Sequence, residues 1–97
     1  MHVISRRRLV EFWEANPEAK KSLQTWLNIA KAANWKSPAD VRTIDPKASI
    51  VANNRVVFDI LGGRFRLVVA IRYSSGVVFI RFVGTHSDYD RIDAGRV

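Results

Sequence analysis

The segment Gly84-Thr85-His86-Ser87-Asp88-Tyr89-Asp90 carries the side chains of this chain that are best suited to proton transfer. His86 is one of two histidines, and Tyr89 follows it three residues later. An imidazole and a phenol beside cations can take a proton from a ribose 2′-hydroxyl, stabilise a charged phosphorane and protonate the leaving 5′-oxygen. These residues are therefore candidates for RNA transesterification, with a purely structural histidine as the alternative.

The cations that such chemistry needs are abundant and unevenly distributed. The chain has 16 Lys and Arg residues against 9 Asp and Glu, which gives a formal charge of +7. This excess predicts a polyanionic partner: nucleic acid, the ribosome, an acidic protein or an anionic membrane surface. All of the lysines precede Asn54, and the later cationic positions are arginines. Because guanidinium binds phosphate in a bidentate manner, this pattern favours phosphate recognition over a merely solvated basic surface.

Other kinds of chemistry find little support. The chain has no cysteine, which excludes thiol nucleophiles, thiolate metal ligands and disulfides and fits a cytoplasmic protein. Asp88, Asp90 and Asp93 alone are a weak metal-binding pattern, so we expect no metal and no cofactor. Gly62-Gly63 is too short for a phosphate-binding loop. The basic start, Met1 to Arg8, leads into no apolar run, so neither a signal peptide nor a membrane span is expected.

Helices are predicted in the first half of the chain, and the stretch from Ile44 to Asn54 is predicted to be a connection. The helices span, in order, about Arg6 to Ala15 after a Ser5 cap, Asn16-Pro17 to about Ala33, and Ser37-Pro38 to just before Asp45. Apolar residues at helical spacing predict the buried faces of the first two helices. These residues are Leu9, Phe12, Trp13, Leu23, Trp26, Leu27, Ala30 and Ala33.

Three antiparallel strands are predicted in the second half, over Arg55 to Leu61, Arg64 to Ser74 and Val77 to Thr85. Gly62-Gly63 indicates a tight hairpin, because a type I′ turn needs positive φ at both central positions. The predicted pairs are Ile60–Phe65, Phe58–Leu67, Val56–Val69 and the ion pair Asp59–Arg66. A second tight turn at Ser75-Gly76 would pair Tyr73 with Val78, Ile71 with Ile80 and Val69 with Phe82. The prediction is a single α+β domain over residues 1–97, with two helices and a short third packed on one face of a small antiparallel sheet.

The opposite sheet face, which we call the outer face, is where a binding site is expected. It is predicted to carry Arg64, Arg66, Arg72 and Arg81 among Val68, Ala70, Phe79 and Val83. A solvent-facing sheet is usually more polar than this. Arginines among apolar and aromatic side chains suit a surface that holds phosphates while bases or a partner cover the rest. The alternative is an exposed sheet of good strand formers that its arginines keep soluble.

Two blocks of the strand half form a distinctive pattern. The first is Asn53-Asn54-Arg55-Val56-Val57-Phe58-Asp59-Ile60 with Phe65-Arg66-Leu67, and the second is Val78-Phe79-Ile80-Arg81-Phe82 with Gly84-Thr85-His86 and Asp88-Tyr89-Asp90. Together with Ile4 to Trp13 and Trp26 to Trp35, they closely resemble the HigB toxin family of type II toxin–antitoxin systems over nearly the whole chain.

The resemblance implies a RelE-like fold and an endoribonuclease that cleaves messenger RNA, typically on translating ribosomes. It also implies neutralisation by a HigA-type antitoxin with a helix-turn-helix domain, through which the pair would bind operator DNA. The implied catalytic candidates are His86 and Tyr89, for acid–base chemistry or base stacking, with Arg66 and Arg81 as phosphate ligands. The implied RNA-binding candidates are Arg64, Arg72, Asn54 and Asp88.

Two other functions fit the same surface. A non-catalytic module for RNA or ribosome binding would use the arginines for salt-sensitive binding without cleavage. A protein-interaction domain would use the semi-apolar face, with the positive charge serving an acidic partner.

Overall fold

A mixed five-stranded sheet organises the chain, and the computed structural model describes all of residues 1–97. The elements are β1 (His2–Ile4), α1 (Arg6–Ala15), a 3₁₀ turn (Pro17–Ala19), α2 (Lys20–Ala32), α3 (Pro38–Ile44), β2 (Ser49–Val51), β3 (Arg55–Ile60), β4 (Phe65–Arg72), β5 (Val77–Thr85) and α4 (His86–Tyr89). The strand order is β1-β5-β4-β3-β2, with β1 parallel to β5 and the other neighbours antiparallel. The predicted α+β class is confirmed. None of the helices is long and apolar enough to cross a bilayer.

The first two helices begin where the sequence predicts, but their side-chain caps do not form. The second predicted helix is divided into the 3₁₀ turn and α2. Ser5 and Asn16 lie at the expected positions, yet neither accepts a capping hydrogen bond through its side chain. The Asn16 amide instead donates to the carbonyl of Phe12 at 3.1 Å, so it closes the end of α1.

The helices cover one face of the sheet and form the core there. The buried residues on the helices include Leu9, Leu23, Trp26, Ala30 and Val41, and those on the strands include Val56, Phe58, Leu67, Val69, Ile71, Val78 and Ile80. The other predicted helical residues, Phe12, Trp13, Leu27 and Ala33, are partly buried against this cluster. Burying each large side chain contributes about 1.5–3 kcal/mol, so this face anchors the sheet.

The hairpin between β3 and β4 is the one predicted. Gly62 and Gly63 have φ of 67° and 91°, and the Arg64 N–H donates to the carbonyl of Leu61 at 3.2 Å. The expected register follows, and Arg66 lies opposite Asp59 with an Nη1–Oδ1 distance of 3.0 Å. The two glycines therefore set the register that places Arg66.

The register between β4 and β5 differs from the prediction. Ile71 pairs with Val78 instead of Ile80, and Val69 pairs with Ile80 instead of Phe82. The connection is thus longer than two residues, and the shift of two positions keeps every side chain on its face, so alternation alone does not distinguish the registers. Between Val68 and Val69 the register then shifts by one residue, a bulge at which Arg81 is the extra residue of β5.

The bulge reverses the orientation of the end of β5. Phe82 pairs with Val68 on the outer face, and Val83 packs against the core, which is the opposite of the prediction for both. Two short strands were also missed: β1, at the basic start, and β2, inside the predicted connection. Each has three residues, too few to show an alternating pattern, and each is an edge strand defined by its partner.

Candidate functional site

α4 is positioned by a capping box at its first turn. The Asp88 N–H donates to Thr85 Oγ1 at 3.1 Å, and the Thr85 N–H donates to Asp88 Oδ2 at 3.4 Å. Gly84 is required directly before this turn because a Cβ there would lie 2.6 Å from the ring of Phe82. Asp88, a predicted RNA-binding residue, is therefore occupied in holding α4 against the end of β5.

Four side chains around α4 form what we call the His86 cluster: His86, Tyr89, Arg66 and Asp90. The Arg66 guanidinium lies 5.3 Å from the centre of the Tyr89 ring, and the His86 and Tyr89 rings meet edge to face at 6.5 Å. His86 Nδ1 lies 3.2 Å from Asp90 Oδ2. The sequence-predicted His86, Tyr89 and Arg66 are thus brought together, and the Asp59 carboxylate fixes Arg66 from the opposite side.

A second set of cations lies further along the outer face, and we call Arg55 and Arg81 the two-arginine site. Both donate to a main-chain oxygen of Val97, the last residue of the sequence: Arg55 through Nε at 3.2 Å and Nη2 at 2.6 Å, and Arg81 through Nε at 3.1 Å. Arg55 is on β3, opposite Ala70 of β4, and Arg81 is the bulge residue of β5; all three line one cavity. The small side chain of Ala70 leaves room for the guanidinium groups to converge.

The remaining predicted site residues separate into two locations. Arg72, whose guanidinium lies 5.7 Å from the Phe79 ring, and Asn54 line a cavity of about 360 Å³ together with Arg55 and Arg81 of the two-arginine site. Arg64 lies in the β3–β4 turn, and its guanidinium approaches the ring of the core residue Phe65 at 5.9 Å. Arg72 and Asn54 therefore accompany Arg81, whereas Arg64 does not belong to the row predicted for it on the outer face.

The two groups of residues are separate along the sheet. Arg66 pairs with Gly84, and Ala70 pairs with Phe79. Four residues of extended strand span about 13 Å. The arginines therefore do not form one cradle around His86: Arg66 lies at the imidazole, Arg81 lies two to three residue positions further along the sheet, beside Val68 and Val69, and Arg72 lies six positions along β4.

Comparison with known proteins identifies the family of this chain. Residues 19–92 match the family model of the HigB toxin, described as the RelE-like toxic component of a toxin–antitoxin system. The chain belongs to the HigB toxin family. It is similar to the mRNA interferase toxin HigB of Escherichia coli K12, with 27% identity over 92 residues that cover 93% of this chain and 88% of the relative. It has the same identity and coverage with the mRNA interferase HigB of Shigella flexneri.

Arg55, which completes the two-arginine site of this HigB-family chain, was not among the site residues predicted from the sequence. The signal was present, because Arg55 and Asp59 are four residues apart, which in a strand of period two places them on the same face. The sequence also did not predict that side chains on the outer face are buried. Val57 and Val68 point away from the core cluster yet are only 2% and 0% exposed. The apolar character of this face thus reflects cover by the chain itself.

Proposed function

We propose that this chain is an endoribonuclease that cleaves messenger RNA, consistent with relatives that are named mRNA interferases. The observation that carries the proposal is the His86 cluster, in which an imidazole, a phenol and a guanidinium meet at the end of β5. Those are the three kinds of group that RNA transesterification requires.

The proposed reaction uses the ring nitrogen of His86 that faces away from Asp90. If Nδ1–H donates to the Asp90 carboxylate, Nε2 is left with the lone pair that accepts the 2′-hydroxyl proton. The 2′-oxygen then bonds to phosphorus and the bond to the 5′-oxygen breaks, leaving a 2′,3′-cyclic phosphate. The Tyr89 phenol donates a proton to the 5′-oxygen, and Arg66 stabilises the charged phosphorane.

The neighbouring phosphates are proposed to bind at the two-arginine site. Three guanidinium N–H groups already converge on one oxygen there, the arrangement that a phosphate oxygen accepts. Arg72 and Asn54 extend this site along the adjoining cavity. The separation of about 13 Å along the sheet between Arg66 and the position of Arg55, opposite Ala70, suits contacts on either side of the scissile bond, which we assign to recognition and not to bond cleavage.

The proposal includes the partners that the family resemblance implies. These are a HigA-type helix-turn-helix antitoxin that neutralises the toxin, the translating ribosome that presents the messenger, and operator DNA bound only through the toxin–antitoxin pair. The site of action is then the cytoplasm. Membership of a family of toxic components supports an antitoxin partner, and the charge of +7 supports a ribosomal target.

Brief induction of the chain without an antitoxin tests the proposal. Growth arrest and new transcript 5′ ends are expected, and His86→Ala should abolish both while soluble yield is maintained. His2→Ala is the matched control, because His2 lies on β1 at the opposite end of β5 from α4. Normal growth at good soluble expression, with intact transcripts, would contradict the proposal.

A non-catalytic RNA-binding module is the second candidate, and one observation favours it. The His86 side chain is 51% exposed, so water is not excluded from the proposed base. Such a module would bind single-stranded RNA in a salt-sensitive manner and leave no cleaved ends on ribosome-programmed messenger. Purified chain incubated with that messenger distinguishes the two functions.

A further inference from the structure

The segment Asp93–Val97 folds back over the outer face and occupies the two-arginine site. Besides the three bonds to the Val97 oxygen, the Asn53 amide donates to the Gly95 carbonyl at 2.7 Å. Asn53 precedes β3 and Arg81 lies on β5, so the segment is anchored across the three central strands. We call residues 93–97 the strap.

The strap is shaped by bonds within itself. The Gly95 N–H donates to Asp93 Oδ1 at 3.0 Å, and the N–H groups of Arg96 and Val97 both donate to the Asp93 carbonyl, at 2.9 and 3.1 Å. These bonds curl the segment into a turn that directs the Val97 oxygen at the guanidinium groups. The strap therefore combines an internal turn with its anchor on Asn53.

The Val97 oxygen takes the place that a phosphate oxygen would take. A guanidinium group is always charged, and its donors match the oxygens of carboxylate and phosphate groups. Arg55 and Arg81 have no carboxylate side chain in ion-pair contact, in contrast to Arg66, which pairs with Asp59. A phosphate oxygen accepts from the same guanidinium donors, so a phosphodiester should compete with the Val97 oxygen for them.

We propose that the strap is an internal competitor that must leave the two-arginine site before a phosphodiester of single-stranded RNA can bind there. This inference rests on the proposed function for the identity of its ligand. Only molecules with a displaced strap are competent to bind. The apparent association constant for RNA is therefore the intrinsic constant multiplied by the fraction of molecules in which the strap is displaced. The strap thus lowers the apparent affinity of the chain for RNA.

A disulfide that locks the strap provides the test. A Cβ built on Gly95 lies 3.4 Å from Ala52 Cβ, close to the separation that a disulfide bridges, and Gly95 does not have a positive φ. The chain contains no cysteine, so Ala52→Cys with Gly95→Cys creates a single possible intrachain bond. Neither position belongs to the His86 cluster or the two-arginine site. Each single cysteine variant is a matched control that cannot form the lock.

Two probes are titrated against the oxidised and reduced forms: a short single-stranded RNA, and inorganic phosphate followed at the Nε–H resonances of Arg55 and Arg81. Reduced protein should bind RNA as the native chain does, and oxidised protein at least about tenfold more weakly, with recovery on reduction. A chain ending at Ile92 should bind more tightly than the full chain.

The outcomes separate the strap from the proposed function. Equal RNA affinity of the oxidised and reduced forms would contradict the proposal that the strap competes with RNA. If RNA binds neither form, while phosphate shifts both Nε–H resonances in the reduced form only, the proposal that the strap blocks the site is supported and the proposed function is contradicted. If phosphate moves these resonances equally in both forms, or in neither, the proposal that the strap blocks the two-arginine site is contradicted. Matching circular dichroism spectra of the two forms establish that the lock leaves the fold intact.

Discussion

Arg55 and Arg81 lie on strands that do not touch each other, yet their guanidinium groups meet at one oxygen atom. The N–O distances are 2.6 to 3.2 Å, and Ala70 of β4, which pairs with Arg55, lines the same cavity as both arginines. The bulge in β5 makes this possible, because Arg81 is the residue that has no partner in β4. An irregularity in the sheet thus creates the convergence of charge.

Replacing either arginine by alanine should weaken binding of single-stranded RNA by about tenfold, since a hydrogen bond to a charged group contributes about 1.5–3 kcal/mol. Arg55→Ala with Arg81→Ala should weaken it by less than the product of the single effects if both contact one phosphate. Fluorescence anisotropy over a range of salt concentrations measures this. Each arginine-to-alanine substitution should also reduce the slope of log affinity against log salt concentration by about 0.7.

Arg42→Ala is the control for this loss of charge. Arg42 is exposed on α3, on the helical side of the sheet, so it removes the same charge from a different surface. An equal loss of affinity in the Arg42 variant would mean that net charge, and not the two-arginine site, binds RNA.

Tyr89→Phe should separate stacking from proton transfer in the His86 cluster. The phenylalanine ring can keep its place over the Arg66 guanidinium, 5.3 Å away, but it has no proton to donate. We expect cleavage of ribosome-programmed messenger to slow by about 10²–10⁴-fold with RNA affinity unchanged. Tyr89→Ala should lose both. Unchanged cleavage in the phenylalanine variant would exclude the phenol as the proton donor.

The parts of the fold that the sequence predicts are those encoded by local periodicity. Glycine at two adjacent turn positions fixes one hairpin and with it the pairing of Asp59 and Arg66. The apolar spacing of α1 and α2 likewise identifies the helical residues that form the core. Each of these signals is contained within about ten residues of sequence.

The parts that escape prediction depend on contacts between distant segments. A two-residue shift of β5 preserves the alternation of faces, so the position of Arg81 is decided by the bulge and not by the pattern. The strap leaves no periodic signal, because its anchors on Asn53 and Arg55 are about 42 residues away in sequence. Much of the two-arginine site therefore becomes visible only when the sheet is assembled.

Alkaline pH should destabilise the protein through Tyr73. Burial raises the pKa of Tyr73 above the usual value of a phenol, and the Asp40 carboxylate adds to the shift. The unfolded chain then loses this proton at a lower pH than the folded chain does, so the contribution is constant below about pH 10 and stability falls as pH rises beyond it. Tyr73→Phe should show a smaller decline in urea midpoint above about pH 10 than the native chain. Parallel declines would contradict this assignment.

Thr85→Ala should loosen α4 and slow cleavage without weakening RNA binding at the two-arginine site. The variant loses the Oγ1 acceptor for the Asp88 N–H, a cap that contributes about 1 kcal/mol. Because α4 has only four residues and carries both His86 and Tyr89, the free energy lost should appear as misplacement of these two side chains.

Hydrogen exchange at the Asp90 amide, which donates to the His86 carbonyl at 3.0 Å, should accelerate about fivefold in the Thr85→Ala variant. Thr85→Ser keeps the hydroxyl and should retain both protection and cleavage, so it separates the cap from the volume of the side chain. If the alanine variant exchanged faster but cleaved at the native rate, the His86 cluster would not need α4 to hold it. Its assignment as the site of proton transfer would then be wrong.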